Sequence, residues 1–210
     1  MPKRKFIVGL SLAIGTIVSF CAVVKAEDVA IPQSPNAKPV RGIVRVYSQI
    51  VSYAVPAGFV GAYTNDSGTH FILEQVPEGE TVNKWTQMIT VTGDSGAVSY
   101  PGLTNEMFYE SIAKNFRRDC PHSYSSNVLS HEKVGDHDML VAVVGCGTAY
   151  PTGEQYSEEA LVIVIHGKED YYSIQWAERS KASPAPLPLD RTKWGDRLKR
   201  LKPIELIPAN

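Results

Sequence analysis

Beyond residue 40 the alternation of apolar and polar positions reads mostly as strand. Ile43 to Val55 is a β-branched and aromatic run closed by Pro56-Ala57-Gly58. Phe59 to Thr64 leads into Asn65-Asp66-Ser67-Gly68, a hairpin signal, and Thr69 to Val76 is its partner, closed by Pro77-Glu78-Gly79. Trp85 to Thr92 carries Trp85, Ile89 and Val91 and stops at Gly93-Asp94-Ser95-Gly96. Asn127 to Val134 passes through Gly135-Asp136 into Met139 to Gly145, a second hairpin. Ala160 to Ile165 is almost continuously apolar, and Gly167-Lys168-Glu169-Asp170 returns it into Tyr171 to Ala177, where Tyr172, Ile174 and Trp176 share one face.

Two segments change period. From Asn105 to Arg118, Phe108, Ile112 and Phe116 fall four apart with Met107 and Ala113 beside them, Thr104 is placed to cap, and Arg117 and Arg118 suit a final turn. From Asp190 to Leu201, Trp194, Leu198 and Leu201 form a second apolar stripe that Pro203 ends. Burial of Trp194 and Leu198 is worth about 1.5–3 kcal/mol each. Runs of strands separated by single helices predict an α+β fold: a central antiparallel sheet of about six to seven strands with helices packed on its faces.

The N-terminus follows another pattern. Lys3, Arg4 and Lys5 precede an uncharged, mostly apolar run from Phe6 to Val24, and Val24-Lys25-Ala26 is a small-residue cleavage pattern followed by Glu27-Asp28. This is the layout of a secretory signal peptide. An uncleaved anchor and a lipid anchor on Cys21 are the alternatives, the latter opposed by bulky Phe20. The expected organisation is a signal peptide over 1–26, a proline-containing linker over 27–39 and a single domain over 40–210. The leader holds four of the 21 basic residues and none of the 22 acidic ones, leaving 17 against 22 and a net charge of −5 with histidine neutral. That sign argues against nucleic acid as a partner, and a membrane enters only if the leader stays uncut. Cys120 and Cys146 are the only cysteines past the leader, and an even pair in an exported chain predicts a disulfide closing 26 residues, worth about 3–4 kcal/mol.

Three segments carry a resemblance: the tyrosine-bearing strand into Val55-Pro56-Ala57-Gly58-Phe59, the stretch from Gly79-Glu80-Thr81 to Trp85-Thr86-Gln87-Met88-Ile89, and Ile174-Gln175-Trp176 followed by the Trp194 helix. Together with the element order they are similar to the PsbP-like family, whose fold is shared by the Mog Ran-binding proteins. The resemblance implies a central antiparallel sheet with helices on its faces and an accessory or docking role without catalytic apparatus. It carries over no ligand residue.

Candidate chemistry is sparse. Gly93-Asp94-Ser95-Gly96 matches the surroundings of a serine-protease nucleophile, but His70 is the only upstream histidine and its neighbours do not fit; a Gly-rich turn is the simpler reading. His131, Asp136 and His137 gather metal-ligand chemistry on a hairpin without His-Glu-x-x-His spacing, against a solvated charged turn as the alternative. Cys120-Pro121-His122 offers a Cys–His pair only if the thiol is free. His166 ends a strand, and Glu78, Glu80, Glu106 and Glu110 could supply paired carboxylates with nothing to set their separation. Arg191, Lys193, Arg197 and Arg200, with Lys199 and Lys202, give the last helix a basic face that is either solvated or a partner surface. Ten tyrosines offer stacking area without a common cleft.

The expected protein is periplasmic or secreted, non-enzymatic, without catalytic residues or cofactor. It acts as an accessory or binding factor whose partner is another envelope protein or a small ligand. The alternatives are a small secreted hydrolase and an envelope-assembly component docked through the basic helix.

Overall fold

The computed structural model describes residues 39–149 and 155–209. The leader, Cys21, the linker up to residue 38 and Tyr150 lie outside the described residues. The chain order is β1 (Val40–Val46), β2 (Gln49–Val55), β3 (Phe59–Asp66), β4 (His70–Pro77), β5 (Gln87–Asp94), a 3-10 turn (Ala97–Ser99), α1 (Asn105–Asp119), β6 (Tyr124–Val134), β7 (His137–Ala149), β8 (Tyr156–His166), β9 (Tyr171–Lys181), α2 (Arg191–Leu201) and β10 (Glu205–Pro208). A seven-stranded antiparallel sheet runs β3-β4-β5-β9-β8-β7-β6, and a three-stranded one runs β1-β2-β10. The α+β class, the antiparallel sheet and its size are as expected.

The continuous apolar run of β8 has a direct cause: both faces of the large sheet are covered. On one face Leu161, Ile163 and Ile165 join Ile174 and Trp176 in a core closed by Trp194 and Leu201 of α2 and by Val46, Val51 and Tyr53 of the small sheet. On the other, Ala160, Val162 and Val164 lie with Tyr109 and Ala113 of α1. The second sheet is the part that local pattern does not show.

Several boundaries differ from expectation. Ile43 to Val55 is two strands, not one, reversing at Tyr47 and Ser48 with Tyr47 at φ 52°. No Gly, Asn or Asp marks this turn. It is held by a distant carboxylate: the Ser48 N–H and hydroxyl donate to Asp170 Oδ2 at 3.1 and 2.5 Å. The short strand β10 follows Pro203 and is recruited by pairing with β2. In α1, Thr104 caps as expected, accepting from the Met107 N–H at 3.3 Å. The deepest residues, however, are Tyr109 and Ala113; Phe108, Ile112 and Phe116 pack along the flank, and Met107 is 57 % exposed. In α2, Asp190 caps and Trp194 and Leu201 are fully buried. Cys120, at the end of α1, is disulfide-bonded to Cys146 of β7, with Cα atoms 5.6 Å apart.

Candidate functional sites

Four of the five histidines, His70, His131, His137 and His166, come to one end of the large sheet because strand ends and turns gather there. The candidate metal set does not assemble. His131 pairs with Leu140 and His137 with Val134, so alternation sends His131 to the α1 face and His137 to the small-sheet face. His131 Nδ1 lies 3.5 Å from Glu106 Oε1. His137 lies between the Gln49 side-chain amide at 3.2 Å and the His166 carbonyl at 3.1 Å. Asp136 is exposed in the turn, and among the described residues no group of three His, Cys, Asp or Glu side chains could hold a metal.

Glu106, His131, Asp138, His166 and Tyr171 instead line an open cleft of about 390 Å³ at the start of α1. Phe108 stacks on Tyr171 with centroids 5.0 Å apart, and the Tyr171 hydroxyl donates to the Leu103 carbonyl at 2.9 Å. The Glu106 carboxyl is held below the usual range by its own backbone N–H and the Thr104 hydroxyl, and Asp138 by the Lys133 ammonium. Lowered values keep both ionised, the wrong direction for a general acid.

The Gly93-Asp94-Ser95-Gly96 segment is a packing and turn element. A Cβ on Gly93 would collide with Val46 of the small sheet. Gly96 takes φ 67° and donates its N–H to Asp170 Oδ1 at 2.7 Å. Asp94 pairs with His70 Nδ1 at 3.0 Å across β4 and β5, which resembles half of a triad, but Ser95 is exposed and its hydroxyl makes no hydrogen bond to His70 among the described residues. Cys120 cannot act with His122 while its sulfur is bonded to Cys146.

The basic helix is not uniformly outward. Lys193 Nζ meets Glu159 at 3.1 Å and Glu178 at 3.2 Å, and Arg197 meets Glu178 at 2.5 Å, so these two of the four candidate partner residues pin α2 to the large sheet. The Arg197 and Arg200 guanidinium groups lie 5.1 and 5.0 Å from the Trp176 ring centroid. Arg191 remains exposed. The candidate carboxylates are also dispersed: Glu80 accepts from Thr86 and Glu110 from Arg117. A half-buried carboxylate that the sequence did not single out is Glu158 of β8. Burial pushes it up despite Arg179 at 3.0 Å, whose guanidinium sits 3.6 Å from the Trp85 ring centroid and 4.0 Å from that of Tyr156.

Among the described residues, the most conspicuous unpaired surface is the outer face of the small sheet. The β1–β2 and β2–β10 registers place Ile43, Ile50 and Ile207 together there, with Ile50 opposite Ile207 and Ile43 on the diagonal. Ile43 is 65 % exposed and Ile207 39 %. A sheet with one solvated face ordinarily turns polar residues outward. Arg41, Arg45 and Glu205 rim the isoleucines, Arg41 bonding Ser52 and Glu205. This surface is invisible while Ile43 and Ile50 are read on one strand.

No protein-family model matches the chain, and no curated protein matches it. Among solved structures it is similar to a point mutant of the protein Mog1, at 13 % identity and a TM-score of 0.42 over 78 % of this chain and 86 % of that one. It is similar to the Ran-binding protein Mog1p of Saccharomyces cerevisiae, at 13 % identity and a TM-score of 0.39 over 79 % and 86 %. It is also similar to LpqN, described as involved in cell envelope biogenesis in Mycobacterium tuberculosis, at 8 % identity and a TM-score of 0.38 over 80 % and 91 %.

Proposed function

We propose that the chain is an exported, non-enzymatic binding protein that engages another protein of the cell envelope through the outer face of its small sheet. The observation that carries this reading is the outward isoleucine cluster of Ile43, Ile50 and Ile207, an apolar surface on a face that otherwise favours polar side chains. The Cys120–Cys146 disulfide supports an oxidising compartment, consistent with the expected periplasmic or secreted location. The basic helix is less favoured as the docking surface, because Lys193 and Arg197 spend their charge on Glu159 and Glu178.

The test is site-specific photo-crosslinking of the full-length chain in cells. A photoreactive residue at Ile43 or Ile207 is expected to capture a discrete protein partner, and one at Met107, exposed on α1, is not. Equal capture from all three sites would overturn the reading. So would turnover of a small substrate by the purified protein that is lost in Glu106→Gln.

A further inference from the structure

We infer that the open edge of β1 accepts an extended segment of another protein as a fourth strand of the small sheet. That segment's alternate residues run acidic, aliphatic, acidic. This deepens, and rests on, the binding role proposed above.

The argument begins with the backbone. Among the described residues, strand β1 is an edge of its sheet, with β2 as its neighbour. The Ala209 N–H donates to the Ser48 carbonyl, and Pro208, which has no N–H, lies opposite Gln49. In an antiparallel ladder these facts direct the backbone of Ser48, Ile50 and Ser52 toward β10, and that of Gln49, Val51 and Tyr53 toward β1. Their β1 partners Val46, Val44 and Gly42 are therefore spent on β2. Arg41, Ile43 and Arg45 turn their N–H and C=O groups to the free edge.

The same three residues place their side chains on the outer face, since Val44 and Val46 pack into the core. The edge thus presents hydrogen-bonding backbone and a cation–aliphatic–cation row in one register. A strand added there forms hydrogen-bonded pairs opposite these residues, where side chains are direct neighbours. An acidic residue belongs opposite Arg45, which is exposed and has no hydrogen bond or ion pair among the described residues. An aliphatic residue belongs opposite Ile43, extending the apolar row toward Ile50 and Ile207. A second acidic residue beside Arg41 shares that guanidinium with Glu205, so Arg45 makes the main charge contact.

A second copy of the chain fits less well. Two-fold pairing that sets Ile43 against Ile43 puts Arg41 opposite Arg45 at both ends, a like-charge contact that destabilises sheets. Shifting the register by one step in either direction relieves this only by setting Ile43 opposite an arginine.

The test uses the purified full-length protein and a fluorescent heptapeptide, Thr-Glu-Thr-Val-Thr-Glu-Thr, followed by anisotropy. Saturable binding is expected, weakened about tenfold or more when the glutamate and valine nitrogens of the peptide are methylated, since these make the ladder bonds. Arg45→Glu should weaken it about fivefold and shift preference to the peptide with lysine in place of glutamate. The unchanged melting temperature of Arg45→Glu checks that the variant is folded. No saturable binding, equal binding of the methylated or lysine peptide, or dimerisation that masks the edge would each overturn the inference. If crosslinking from Ile43 persists while the peptides fail, strand addition falls and the binding role stands; if both fail, the binding role falls with it.

Discussion

Asp170 is where three segments distant in sequence meet. It is 2 % exposed, and its carboxylate accepts from the Ser48 N–H and hydroxyl, the Tyr172 hydroxyl and the Gly96 N–H. Burial alone would raise its pKa, but these donors outweigh it and hold the group below the ordinary value. A lowered folded-state pKa gives stability that is present above the unfolded value of about 3.9 and is lost as pH falls through the folded one. Asp170→Asn is therefore expected to cost about 1–3 kcal/mol at pH 7 in urea unfolding, with the gap from the unmodified protein narrowing below about pH 4. A gap independent of pH would show that the charge is not what holds the turn. Gly93 belongs to the same scale. Gly93→Ala forces a Cβ into Val46 and should cost about 1–3 kcal/mol by overpacking, read as a lower melting temperature. Ser95→Ala, two residues on, should melt as the unmodified protein does.

At the scale of elements, α1 and α2 are fastened differently. The disulfide ties the end of α1 to β7, and Cys146→Ser should lower stability by about 3–4 kcal/mol under oxidising conditions and not in reductant. Melting of the unmodified protein that ignores reductant would contradict this. Helix α2 is fastened by Trp194 and by the ion pairs of Glu178 with Lys193 and Arg197. Glu178→Gln leaves two half-buried cations short of a partner and should cost about 1–3 kcal/mol in chemical unfolding. Helix periods and the Thr104 cap were legible because they depend on residues within one or two turns. The burial order within α1 was not, since Tyr109 and Ala113 are buried in a cluster with residues far along the chain, Ala142 and Ala160 among them.

For the whole molecule the decisive feature is that each face of one sheet is covered by something different, α1 on one side and α2 with a second sheet on the other. The parity of residues across turns then decides the candidate sites. Ile43 and Ile50 would point to opposite faces of one long strand; the reversal at Tyr47 and Ser48 brings them to the same face. His131 and His137 would share a face of one strand; the β6–β7 turn puts them on opposite faces. By itself the amino-acid sequence determined the two helices and the strands from β3 to β9 in order, the cap at Thr104, and the cysteine pair available for a bridge, because period, capping and composition are properties of near neighbours. Tertiary structure alone decided the Tyr47–Ser48 turn, the recruitment of β10 and the exposure of the isoleucine face. Each of these rests on contacts between residues far apart in the chain, and the Ser48–Asp170 hydrogen bond, spanning 122 positions, is the clearest of them.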